Sequence, residues 1–248
     1  MSFLIMPDPV PNAELLRSLG RLVRGLSALF WGLPIALITC VWTAYPQWVS
    51  PFRLVPPVIA SALLVYGLWQ LSGFQKQERV WRNALDRAII LGVVNLGLSP
   101  FVYWWSRVPG NGFFLAMVIV LIVSGLLFLG SVNVVLQRLG AMLPDEALRV
   151  EIKQFTAFNL NLIVVTLIVG GIYSLLSQPQ ALPSVLKPLA ASLERQTIPF
   201  WLQNAAALFM HLGPWFLLLL VLLPLAMTMA LLWKTKEVIM ENVFGAQQ

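Results

Sequence analysis

Charge is what this sequence has least of. Asp, Glu, Lys and Arg make up 10% of its residues, where a soluble globular domain carries roughly a quarter. The hydrophobic share is 59% and the mean hydropathy +0.83, so water is not the main solvent for the chain and a bilayer takes over as the organising constraint. Cysteine is almost absent as well. Cys40 alone excludes an internal disulfide and a cysteine metal cluster. It follows Leu37-Ile38-Thr39 in a loose likeness of a lipobox, but Thr39 is unusual there and further apolar blocks follow, so it reads as a plain intramembrane thiol.

Histidine is equally scarce. His211 is the only one, and a lone histidine on an apolar segment reads as an interfacial hydrogen-bonding residue rather than a base or a metal ligand. No HExxH, GxSxG or GxxxxGK[ST] motif is found. No catalytic residue, metal ligand or cofactor is therefore assigned, and the chain reads as a non-enzyme. Nor does any Asp, Glu, Lys or Arg fall inside the apolar blocks, which argues against an ion- or proton-coupled pump.

What is present is a series of apolar blocks. They predict an all-α, multi-pass bundle with six spans at about 26–45, 54–74, 88–105, 113–137, 156–176 and 213–233. Residues 1–25 form a lead with an amphipathic helix from Asn12, in which Leu15, Leu16, Leu19, Leu22 and Leu26 recur at helical spacing. Residues 26–233 are one helical domain, and 234–248 are a tail. Pro34, Pro100 and Pro224 are placed to kink spans one, three and six, with Pro100 loosening the outer end of the third. In the long connection 177–212, two surface-lying helices are expected, one along Leu182 to Leu193 and one over 198–212.

The net charge is +6, which in a soluble domain would suggest nucleic acid. Here the basic residues flank the apolar blocks instead, so nucleic acid is not an expected partner and membrane lipid is. Twelve Lys and Arg fall in the lead, the two charged connectors and the tail, against four (Arg53, Arg107, Lys187 and Arg195) in the alternate loops. By the positive-inside rule both termini are cytoplasmic. Basic inner loops of this kind suit a bacterial cytoplasmic membrane.

The connectors 75–87 and 137–155 join spans two with three and four with five. Glu78 with Arg82, and Asp145 with Arg149, are spaced as ion pairs one helical turn apart. Trp81, Leu85, Leu148 and Ile152 form apolar stripes on these connectors, suited to docking a partner or to lying on headgroups. Within the spans, Gln70, Asn133, Asn159 and Asn161 sit toward the inner ends and Asn95 about two turns into span three. They are candidates for a shared amide-lined pocket. The competing reading is that each amide fixes the bundle through a bond averaging about 0.6 kcal/mol. Small residues at Gly92, Gly97, Ser99, Ser124, Gly125, Gly130, Ser131, Gly170 and Gly171 offer close-packing surfaces.

These features lead to a non-catalytic scaffold or accessory subunit of a membrane complex, packing against other membrane subunits or lipid. The alternative is a permease-type subunit for a neutral or lipidic substrate, its connector helices docking a cytoplasmic ATPase.

Overall fold

In the computed structural model, residues 13–44, 51–74, 78–142, 146–177 and 200–244 are described. The elements in chain order are α1 (Ala13–Ala44), a 3-10 turn (Pro51–Leu54), α2 (Val55–Ser72), α3 (Arg79–Leu98), α4 (Pro100–Arg107), α5 (Gly112–Met142), α6 (Glu146–Ser177) and α7 (Phe200–Phe244). No strand occurs among the described residues. Among the described residues six stretches are long and apolar enough to cross a membrane: Arg17–Ala44, Phe52–Ser72, Arg79–Arg107, Gly112–Met142, Arg149–Tyr173 and Trp215–Glu241.

The amphipathic lead and the first span are one helix. In α1, Leu22, Leu26, Leu29 and Leu33 are buried while Arg17, Arg21 and Arg24 are exposed, so a single apolar face runs through the expected boundary near residue 26. Proline explains the break in the third stretch. Pro100 has no amide to donate, and its ring disfavours an unbroken helix through the preceding turn, so α3 ends at Leu98 and α4 starts at Pro100. Ser99 stays in the helical region and its amide donates to the Asn95 carbonyl at 2.9 Å, which keeps the two rods nearly continuous.

Two expectations change. The 200–212 part of the long connection does not lie down as a separate helix; it continues without interruption into the last one, giving α7 its 45 residues. At 1.5 Å per residue that is about 68 Å, over twice a hydrocarbon layer of roughly 30 Å. Ala-rich and Leu-rich sequence on both sides of Gly213-Pro214 supports helix on either flank, and proline removes only one amide. The helix expected along Leu182 to Leu193 lies outside the described residues. Arg82 also chooses a different partner: it sits 4.0 Å from Asp86, not against Glu78. Asp145 is outside the described residues, and Arg149 donates to the Ala141 carbonyl at 3.3 Å.

With α3 and α4 taken as one rod, consecutive rods pack side by side, and the last returns to the first. α1 packs on α2, α2 on α3, α3 on α5, α5 on α6, α6 on α7, and α7 on α1, closing a ring that α7 also crosses to reach α5. Phe30 and Trp233 meet across the closure with ring centroids 5.6 Å apart. One end of the ring gathers eleven described Lys and Arg, from Arg17, Arg21 and Arg24 through to Lys234 and Lys236, while Arg53 and Arg107 mark the other. The former is termed the basic end below.

Backbone meets backbone between α1 and α2. A Cβ on Gly25 would stand 2.7 Å from the Gly67 carbonyl oxygen, and one on Gly67 would stand 3.1 Å from that of Gly25. Only residues without a side chain let the two backbones approach so far. At the end opposite the basic one, the guanidinium of buried Arg53 donates to the carbonyls of Trp42 and Thr43 in the last described turn of α1, the second at 3.2 Å. A cation thereby meets carbonyls that the helix leaves without intrahelical amides, at the negative end of its dipole.

Candidate functional site

Two of the five candidate amides come together, in the wall shared by α5, α6 and α7. Asn133 and Asn159 are both fully buried. Each donates through Nδ2 to the hydroxyl of Thr228 on α7, at 2.8 and 3.0 Å. Asn133 Nδ2 also reaches the Leu129 carbonyl at 2.8 Å, and Asn159 Nδ2 the Pro224 carbonyl at 3.2 Å. Thr228 passes its own proton to the Pro224 carbonyl at 2.8 Å. One hydroxyl thus joins three helices. Asn133 Oδ1, Asn159 Oδ1 and the nearby Thr156 Oγ1 have no hydrogen-bond partner among the described residues.

A second knot lies two turns further from the basic end. Pro224 has no amide hydrogen, so within α7 the Leu220 carbonyl loses its partner four residues on. Thr166 on α6 fills that gap, donating to Leu220 O at 3.1 Å while also bonding Leu162 O at 2.7 Å. Toward the basic end the same pair of helices is joined by a Lys234 to Glu151 ion pair. The α6–α7 seam therefore carries polar links along its length, in a ring whose outer surface bears exposed side chains such as Ile90, Ile122, Val165, Ile168, Trp215 and Leu219.

The other three amides do not join this cluster. Asn95 Oδ1 accepts from Ser124 Oγ across the α3–α5 contact, nine residues along α5 from Asn133 and hence about 13 Å away along the axis. Gln70 donates to the Tyr66 hydroxyl at 2.6 Å on an exposed flank of its own helix. Asn161 is exposed, because two residues past the inward-facing Asn159 the helix has turned through about 200°.

The connector stripes also face inward. Trp81, Leu85 and Ile152 belong to the hydrophobic core, at 1%, 2% and 1% exposure. Trp81 packs edge-on against Phe74, centroids 6.4 Å apart. Ile152 fills the space opposite Gly140, where a Cβ would lie 2.6 Å from its Cδ1. An amphipathic stripe shows only that a helix has an apolar side; here Trp81, Leu85 and Ile152 on that side are buried in the bundle. Leu148 lies in α6, with its side chain outside the described residues.

Between α3, α5 and α6 a cleft of about 520 Å³ is open on the flank of the ring. Its walls are mostly aliphatic, with Leu127, Leu160 and Val164 among them, and Gly130 and Ser131 on its α5 side. At the basic end it carries Asn83 and Arg87 from α3 and Arg138 from α5. Both arginines are exposed, neither has an ion-pair partner among the described residues, and no carboxylate lines the cleft.

Sequence reasoning overlooked Thr228 and Thr166, and the Gly25–Gly67 crossing. A weak signal existed for two of these, since Thr228 stands four residues after Pro224 on one helix face and Gly25 and Gly32 are seven apart on another, while Thr166 carries none. Among the described residues no group of three or more His, Cys, Asp or Glu is placed to hold a metal ion. Compared with protein-family models, with curated proteins and with solved structures, the chain matches none.

Proposed function

We propose that the chain is a multi-pass protein of a bacterial-type cytoplasmic membrane, with both ends cytoplasmic, acting as a non-catalytic scaffold or accessory subunit beside other membrane proteins. The observation that carries this reading is the division of its surface chemistry. Asn133, Asn159, Thr166 and Thr228 are spent on bonds between helices, while large apolar side chains cover the outside of the ring. In hydrocarbon that arrangement pairs the amide and hydroxyl donors between helices and leaves flanks suited to lipid or to another helical subunit. The eleven basic residues gathered at one end orient it.

Purification of the full chain in mild detergent, with mass analysis of what accompanies it, tests the role. A membrane-embedded partner in fixed ratio is the expected result; a stoichiometric ATPase would replace this reading with the permease one. Orientation is tested apart from role. In a Cys40→Ala background, single cysteines at Arg79 and Glu241 should label from the same side of intact vesicles, and labelling from opposite sides would overturn the topology.

A further inference from the structure

We propose that the cleft between α3, α5 and α6 is a binding site for one anionic phospholipid, its phosphate held by Arg87 and Arg138 and an acyl chain laid along the aliphatic walls. The proposal deepens the membrane reading above and rests on it. Its first support is charge complementarity. Two exposed guanidinium groups from different helices converge on one end of the cleft, beside the Asn83 amide, without a carboxylate to neutralise them among the lining residues. At the same end Arg82 is paired with Asp86 and Lys234 with Glu151, outside the cleft. Arginine's planar fork suits a phosphate bidentately.

The second support is the sequence of chemistry along the cleft. Moving from Arg138 along α5, the lining changes to Val134, Ser131, Gly130 and then Leu127 and Leu126. Twelve residues of helix span about 18 Å, close to half of a hydrocarbon layer of roughly 30 Å, which is the depth of one leaflet. A charged mouth on the basic end followed by an aliphatic trough of one-leaflet depth matches a lipid with its headgroup at the interface. A soluble phosphate would use only the mouth. The volume lies in the range of small-molecule sites.

Native mass spectrometry of the full chain, titrated in detergent with phosphatidylglycerol or phosphatidylcholine of identical chains, tests this. The parent should hold one phosphatidylglycerol at least tenfold more tightly than phosphatidylcholine. In Arg87→Gln/Arg138→Gln that preference should vanish, while Arg82→Gln/Arg149→Gln, with the same loss of charge outside the cleft, should keep it. Equal loss in both double variants would reduce the effect to general surface charge and overturn the site. Ser131→Phe keeps both arginines but fills the trough, and it should lower affinity for both lipids. Unchanged binding there, in a variant whose helical circular dichroism matches the parent, would also overturn it, as would displacement of the lipid by millimolar inorganic phosphate. Cysteine labelling reports insertion separately, so failure here leaves the topology standing.

Discussion

Removing the Thr228 hydroxyl should loosen three helices at once. In Thr228→Val the side chain keeps its shape but loses one donor and one acceptor. Two interhelical bonds disappear, those from Asn133 at 2.8 Å and Asn159 at 3.0 Å. Bonds of this type in membrane proteins average about 0.6 kcal/mol and reach about 1.7, so the pair is worth about 1.2 kcal/mol. The loss is softened because Asn133 retains the Leu129 carbonyl and Asn159 the Pro224 carbonyl. It is sharpened because the released amide protons remain buried. The expected cost is therefore about 1–2 kcal/mol. Unfolding in mixed micelles titrated with SDS, followed by the fluorescence of the ten tryptophans, measures it. Thr228→Ser keeps the hydroxyl and should fall between parent and valine variant. A double-mutant cycle with Asn159→Leu should return a coupling of about 0.6 kcal/mol. If Thr228→Val unfolds within 0.3 kcal/mol of the parent, or if serine is no better than valine, the three-helix knot contributes nothing and the reasoning fails.

Three further outcomes follow from the packing. Gly25→Ala drives a Cβ into the Gly67 carbonyl and should cost about 1–3 kcal/mol by overpacking; Gly97→Ala, which meets nothing within 4 Å, should be neutral or slightly stabilising in the same unfolding assay. Thr166→Val strands the Leu220 carbonyl and should destabilise by about 1 kcal/mol, but less in a Pro224→Ala background, where the backbone amide returns; equal costs in the two backgrounds would show that Thr166 does not compensate for proline. Arg53→Gln should raise hydrogen exchange in the last described turn of α1, near Trp42 and Thr43, by roughly tenfold or more, since their carbonyls lose a charged donor; unaltered exchange would deny Arg53 its capping role.

The apolar blocks were plain in the sequence because crossing hydrocarbon needs about twenty consecutive apolar residues, a demand that leaves little ambiguity. The break at Pro100 was plain for a similarly local reason: the missing amide acts within one turn. What stayed hidden depends on how each helix is rotated about its axis. Trp81 and Ile152 form apolar stripes whether they face a partner, headgroups or the bundle, and the sequence does not say which. Asn159 and Asn161 look alike in the chain and are set apart only by the turn of α6. The threonines gave little warning because a hydroxyl bonds its own i−4 carbonyl in any helix, as Thr235 does with Leu231. One length is ambiguous: 198–212 is largely apolar but carries Gln203, Asn204 and His211, which suits a surface helix as well as the prolonged last helix found from Phe200.

Ring closure by α7 has a bearing on biogenesis. Synthesis delivers α1 before α7, yet the α1–α7 contact forms only when α7 arrives. Until then Asn133, Asn159 and Thr166 belong to nascent segments whose partners on α7 have not left the ribosome. The half-made protein would present a polar furrow to whatever insertion machinery or chaperone shelters it, and truncating the gene before codon 215 should leave that furrow permanently open to quality-control proteolysis.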